Sequence, residues 1–342
     1  PVGSSPPSGA AIQYWLRSPN QEVTLEFLDA QGRLVRSFTS RLDSAAYADS
    51  VRREQRRRSR EDSLRGAGLS QDSIQTLMRV ATDAPGGIAP TDDDSPRTPP
   101  VPRAPNRAGV NNFVWNMRYP DASSIQGLIM WAASTQGPLA PPGNYQVRLL
   151  VNGRPVSTQA FRLIRDPRAR DVTQADLAEQ FNFLMRIRNR VSEANDAVKT
   201  IRYVRQELAD RERRLTGMHE KAVRSLATPL LAELASVEDS IYQTRNRSNQ
   251  DPLNYPIRIN NKIAALMGVV GSSDNRPTAQ SYDVFTRLSA QLDRELGRMR
   301  RAMDGALPRI NDQLRDAKLP EIVPRAVEVR AQPQVAGGSG DR

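Results

Sequence analysis

The chain contains no cysteine and only one histidine, His219. Without cysteine there is no disulfide framework, thiolate zinc site, thiol nucleophile or iron–sulfur cluster. One histidine cannot build a His-rich metal centre and leaves little for Ser–His–Asp chemistry. Aromatic residues are 5% of the total, which predicts small or elongated cores. No run of 18 apolar residues occurs, so no segment reads as a membrane-spanning helix. The motifs G-x-S-x-G, G-x-x-x-x-G-K and H-E-x-x-H are also missing. Together these counts predict no cofactor, no metal site and no enzymatic activity. The lack of cysteine does not choose a compartment, because a reduced cytosol and a disulfide-free periplasmic protein both fit.

What is present is 342 residues, long enough for about two domains. Apolar residues make up 38%, enough for packed cores. Lysine and arginine number 49 against 38 aspartates and glutamates, a net charge of +11. Residues 1–11 have the composition of a linker, opening on PVGSSPPSGA with no basic and apolar leader. Residues 321–342 read as an extended tail ending in GGSGDR. Both ends suggest a processed product or the tail of a longer chain.

Between the ends the hydrophobic period changes twice. Val23, Leu25 and Phe27 alternate with polar neighbours, then Asp29–Gly32 supplies a turn and Leu34, Val35 and Phe38 resume. Phe113, Trp115 and Met117 share one parity, and Tyr145, Val147, Leu149 and Val151 another. Asn152-Gly153 is a strong hairpin signal. Segments 12–40 and 110–166 therefore predict one immunoglobulin-like antiparallel β-sandwich. Residues 41–109 are an insertion, polar and helical at first, then Pro-rich and extended.

From Thr173 the period becomes helical. Thr173 with Asp176 three residues on predicts a capped start. Leu177, Phe181, Leu184, Ile187, Val191, Ala194, Val198, Ile201 and Leu208 then mark a helix of about 40 residues. A second helix is expected over 219–244, a short one over 257–270, and a last one from Thr278 past Pro308 to Leu314. Residues 167–320 thus predict an elongated antiparallel helical bundle, and the fold class is α+β, multidomain.

Three stretches carry a resemblance: Phe113–Asp121 (FVWNMRYPD), Gly137–Tyr145 (GPLAPPGNY) and Asp251–Lys262 (DPLNYPIRINNK). In this order they resemble the C-terminal region of secreted bacterial sortilin-type or glycosyl-hydrolase-like BNR-repeat β-propeller proteins. The likeness covers 110–318 and the hairpin at 23–38, without the propeller. Activities associated with the propeller therefore do not carry over. The resemblance implies a periplasmic or extracellular, membrane-proximal setting. It also suggests an accessory subunit on the periplasmic face of a bacterial membrane complex, with a photosynthetic reaction-centre–light-harvesting complex as the named case.

Candidate binding residues follow from charge and rigidity. Arg52, Arg53, Arg56, Arg57, Arg58 and Arg60 fill six of nine positions. Such a run is most simply a solvated helix face paired with Glu54, Glu61 and Asp62. Its functional reading is an acidic protein surface or anionic lipid headgroups. Nucleic acid is disfavoured, because no stacking aromatics or recognised motif lie nearby. Pro99, Pro100 and Pro102 sit in an extended stretch that loses little entropy on docking. Trp115 reads as core by its parity. Trp131, in Leu128–Trp131, is the ambiguous tryptophan and a candidate contact for a glycan or peptide. The Asp92–Asp94 run lacks the ligand spacing of a calcium loop. Asn246-Arg247-Ser248 matches a glycosylation sequon. The expected partners are protein subunits of a larger membrane complex. An accessory glycan- or peptide-binding module of a secreted hydrolase-like protein is the alternative.

Overall fold

A computed structural model describes residues 8–41, 64–66 and 102–327. The fold is α+β, with small antiparallel sheets and long helices. It divides into two compact units, one of strands and one of helices.

The strand unit holds six strands: β1 Ala10–Leu16, β2 Val23–Leu28, β3 Leu34–Thr39, β4 Gly109–Trp115, β5 Gly143–Val151 and β6 Arg154–Leu163. Four of them form one antiparallel sheet in the order β3-β2-β5-β6, and β1 pairs antiparallel with β4. The turns follow local chemistry. Asp29 Oδ1 accepts from the Gln31 and Arg33 amides at 3.0 and 2.9 Å, while Gly32 adopts φ +74°. Asn152 and Gly153 have φ +50° and +75°, as a type I′ hairpin requires. The core is aromatic. Phe27 and Trp115 stack with centroids 4.5 Å apart, and Phe38, Phe113, Tyr145 and Phe161 close around them. Trp115 is fully buried, as its parity indicates. Gly9 has φ +146°, and a Cβ there would lie 2.3 Å from the Trp115 carbonyl oxygen. β1 starts at Ala10, so the strand takes in the last two residues expected to be linker.

The helical unit is built from α1 Gln174–Glu212, α2 Gly217–Ile241, α3 Ile259–Val270 and α4 Ala279–Asp316. Thr173 and Asp176 form the complete capping box, and the Thr278 side chain accepts from the Ser281 amide. Both prolines inside helices, Pro229 and Pro308, are carried through without ending them. One apolar cluster joins all four helices, through Ile187, Val191 and Ile201 of α1, Leu234 and Ile241 of α2, Ile263 of α3, and Leu292 and Ile310 of α4.

Segment 118–142 departs from the sequence expectation. Adjacency assigns it to the strands, yet it belongs to the helical unit. It forms no ladder beyond an isolated bridge between Arg118 and Leu139. Ala122 and Ile125 enter the helical cluster, and Leu128, Met130 and Ala133 pack against it. The chain after α4 also turns back on its helix. Ile322 is buried, and Asn311 bonds both its amide and its carbonyl at 2.8 and 3.1 Å.

Candidate functional site

The polar chemistry of the helical unit converges on segment 118–142. Two of the resemblance stretches hold each other there. The Gly137 amide donates to Asp121 Oδ1 at 2.9 Å, and the Arg118 guanidinium donates to the Gly137 carbonyl at 2.9 Å. The Tyr119 amide donates to the Pro138 carbonyl at 2.9 Å. A Cβ on Gly137 would lie 2.1 Å from the Tyr119 carbonyl oxygen, so the approach requires glycine. Burial pulls the Arg118 guanidinium below its ordinary pKa, and Asp121 opposes that shift.

The third stretch supplies the anchor. Asn195, Asn260 and Asn261 are buried. The Asn260 amide nitrogen donates to Asn195 Oδ1 at 3.1 Å, and Asn195 donates in turn to the Ser123 carbonyl at 2.6 Å. Asn261 grips the backbone of Trp131 at both polar atoms, accepting from its N–H at 2.7 Å and donating to its carbonyl at 2.9 Å. This is the pairing a neighbouring strand would make, here made by one side chain. Upstream, Asp251 accepts from the Arg247 and Ser248 amides. Those amide bonds hold its carboxyl below the usual carboxylate range.

The Ser123 hydroxyl lies between oppositely charged groups. It bonds Asp196 and accepts from Lys199 Nζ at 2.7 Å. Its N–H donates to Ser192 Oγ at 3.0 Å, and its carbonyl accepts from Asn195. Every polar atom of Ser123 is thus bound to α1. The arrangement pins the chain to the helix. Among the described residues no group of three or more His, Asp or Glu could hold a metal ion. Also among them, no helix is long and apolar enough to cross a membrane.

The residues singled out by sequence fall in different places. Arg52, Arg53, Arg56, Arg57, Arg58, Arg60, Pro99 and Pro100 lie outside the described residues, as does the Asp92–Asp94 run. Pro102 is exposed and belongs to the strand unit. Trp131 keeps 42% of its surface exposed while its backbone is fixed, and it stands on the helical unit rather than on the strands. His219 Nδ1 lies 3.2 Å from Gln313 Oε1 at the start of α2. Asn246 of the sequon is buried.

A feature that sequence reasoning passed over is the outer edge of β6. Residues 154–160 are exposed without interruption, and among the described residues β6 pairs with β5 alone. The available signal was the run VSTQAF, six residues with no charge. No protein-family model matches the chain, and neither curated proteins nor solved structures give a match.

Proposed function

We propose that this chain is a non-enzymatic, extracytoplasmic structural subunit that docks on and stabilises a larger membrane-associated protein assembly. In this reading the strand unit is an immunoglobulin-like sandwich and the helical unit an elongated antiparallel bundle. The supporting observation is how the polar side chains are spent. Ser123, Asn195, Asn260 and Asn261 are all consumed in locking chain segments onto helices. Such locking makes a rigid body, and rigid surfaces bind partners at low entropic cost. The assembly named is the bacterial photosynthetic reaction-centre–light-harvesting complex, which rests on the family resemblance and on no individual residue. Chemical cross-linking in intact source cells, followed by mass spectrometry, tests the reading. Cross-links to subunits of one membrane complex are expected; cross-links to none contradict it.

One observation favours a second reading, the glycan- or peptide-binding module. Trp131 offers an exposed ring on a backbone already held by Asn261. A preorganised aromatic face suits stacking against a sugar or an apolar side chain. Its test is tryptophan emission of a Trp15→Phe variant during titration with oligosaccharides. A saturable shift that disappears in Trp131→Ala supports the module, and a flat titration removes it.

A further inference from the structure

Residues 319–327 lie against the helical unit without regular secondary structure. They leave α4 through a Schellman turn. The Leu319 amide donates to the Leu314 carbonyl at 2.8 Å, and the Lys318 amide donates to the Arg315 carbonyl at 2.9 Å. Lys318 has φ +57°, at the position where such a turn usually places glycine. A side chain in this left-handed conformation stores backbone strain at the point where the segment pivots.

Beyond the turn, side chains do the holding. From Pro320 to Val327 the backbone–backbone bond among the described residues is a local one, from the Val327 amide to the Arg325 carbonyl at 3.1 Å. Arg211 Nε donates to the Pro320 carbonyl at 3.0 Å. Arg315 donates twice to Glu321 Oε1, at 3.0 and 2.8 Å. Asn311 bonds the Ile322 amide and carbonyl. Arg325 Nε donates to the Tyr203 hydroxyl at 2.9 Å, with its guanidinium 5.0 Å from the ring centre. Ile322 is buried, while residues 323–327 are all exposed. One buried side chain and a few exposed polar contacts make a weak anchor, because exposed ion pairs contribute little. Pro320 and Pro324 each fix a φ angle and so stiffen the segment. A cavity of about 420 Å³ lies between this segment and α4, with Ile322, Val323 and Pro324 on one wall and Met303, Leu307 and Pro308 on the other.

We propose that residues 319–327 are a hinged strap, which pivots at Lys318 and opens as a unit while the helices stay folded. Opening takes away one wall of the cavity beside α4. The strap is independent of the proposed docking role.

The chain has no cysteine, so a single introduced thiol reports on one place. In the full chain, Ile322→Cys is expected to react with a disulfide reagent such as DTNB at least about a hundredfold faster than Leu292→Cys, which probes a fully buried position of α4. Asn311→Ala, added to each, is expected to speed the reaction of Ile322→Cys about tenfold and to leave that of Leu292→Cys unchanged. Arg325→Ala removes a contact that does not involve Ile322. It is expected to speed the reaction of Ile322→Cys about two- to fivefold, which marks opening as a unit. Hydrogen exchange of the wild-type chain gives a second reading with no substitution. The Ile322 amide, which donates to Asn311, is expected to exchange at least about a hundredfold faster than the Ile310 amide inside α4. Equal rates at the two amides, or in the two thiol variants, overturn the proposal. It is also overturned if Asn311→Ala speeds both thiol variants alike, because strap and bundle then open together. No effect of Arg325→Ala on Ile322→Cys overturns opening as a unit.

Discussion

The two units solve the same problem, a polar backbone beside an apolar core, in opposite ways. In the helical unit the irregular segment 118–142 is satisfied by side chains from α1 and α3, with buried asparagines substituting for a neighbouring strand. In the strand unit the backbone is satisfied by ladders, and a ladder always leaves a last strand. At β3 that strand is short and receives a cap from Ala104; at β6 it is long and open among the described residues. The difference shows where each unit keeps its unused bonding capacity. The helical unit has turned its own inward, and the strand unit keeps a row of it on the surface.

The largest expected effect falls on the aromatic core. Trp115→Ala removes a fully buried ring that stacks on Phe27, and is expected to cost about 3–5 kcal/mol of strand-unit stability. Chemical denaturation followed through near-ultraviolet circular dichroism measures it. A loss below about 1 kcal/mol would mean that Trp115 does not organise this core.

Next is the asparagine anchor. Asn260→Ala strands the oxygen of Asn195 and the Asn261 amide in a buried site, at an expected cost of about 1–3 kcal/mol. Amide exchange at Trp131 should speed up in Asn261→Ala, whose side chain accepts that proton. Unchanged exchange would show that other contacts hold the segment. Gly137→Ala forces a methyl against the Tyr119 carbonyl and is expected to destabilise the helical unit by about 1–3 kcal/mol.

Acid should affect the helical unit through Asp176 and Asp251. The Thr173 side chain holds the Asp176 carboxyl below its ordinary value, as the Arg247 and Ser248 amides do for Asp251. A depressed folded-state pKa stabilises the fold above the unfolded value, near 3.9, and that stabilisation is lost as pH falls through the folded value. Melting temperature should therefore fall as pH drops below about 4, and Asp176→Asn/Asp251→Asn should flatten the fall. An identical slope in the double variant would remove these carboxylates from the account. The smallest expected effect is that of Arg154→Glu/Arg162→Glu on stability, within about 0.5 kcal/mol, because both side chains are exposed.

The sequence made some of this legible and hid the rest for definable reasons. The capping box at Thr173, the Asn152-Gly153 turn and the buried parity of Trp115 are local signals, and the structure carries each of them. The helix over 174–212 was visible because its apolar stripe never breaks for long. The membership of 118–142 was not visible. Its apolar run Leu128–Trp131 is too short for any period, and its bonds come from Asn261, 130 residues away from Trp131. Asn195 and Asn260 were passed over because asparagine inside a helix reads as solvent-facing until its partners are seen. The β6 edge was hidden because exposure on both faces follows from which strand ends the sheet, and strand order is not written in any one segment.

The most direct measurement is native size separation of a gentle detergent extract of source membranes, with mass spectrometry of the band that holds this chain. The docking account predicts that the chain runs within a large membrane complex and leaves it only under harsher extraction. A free 38.0 kDa species in the soluble fraction, absent from every large band, would contradict it.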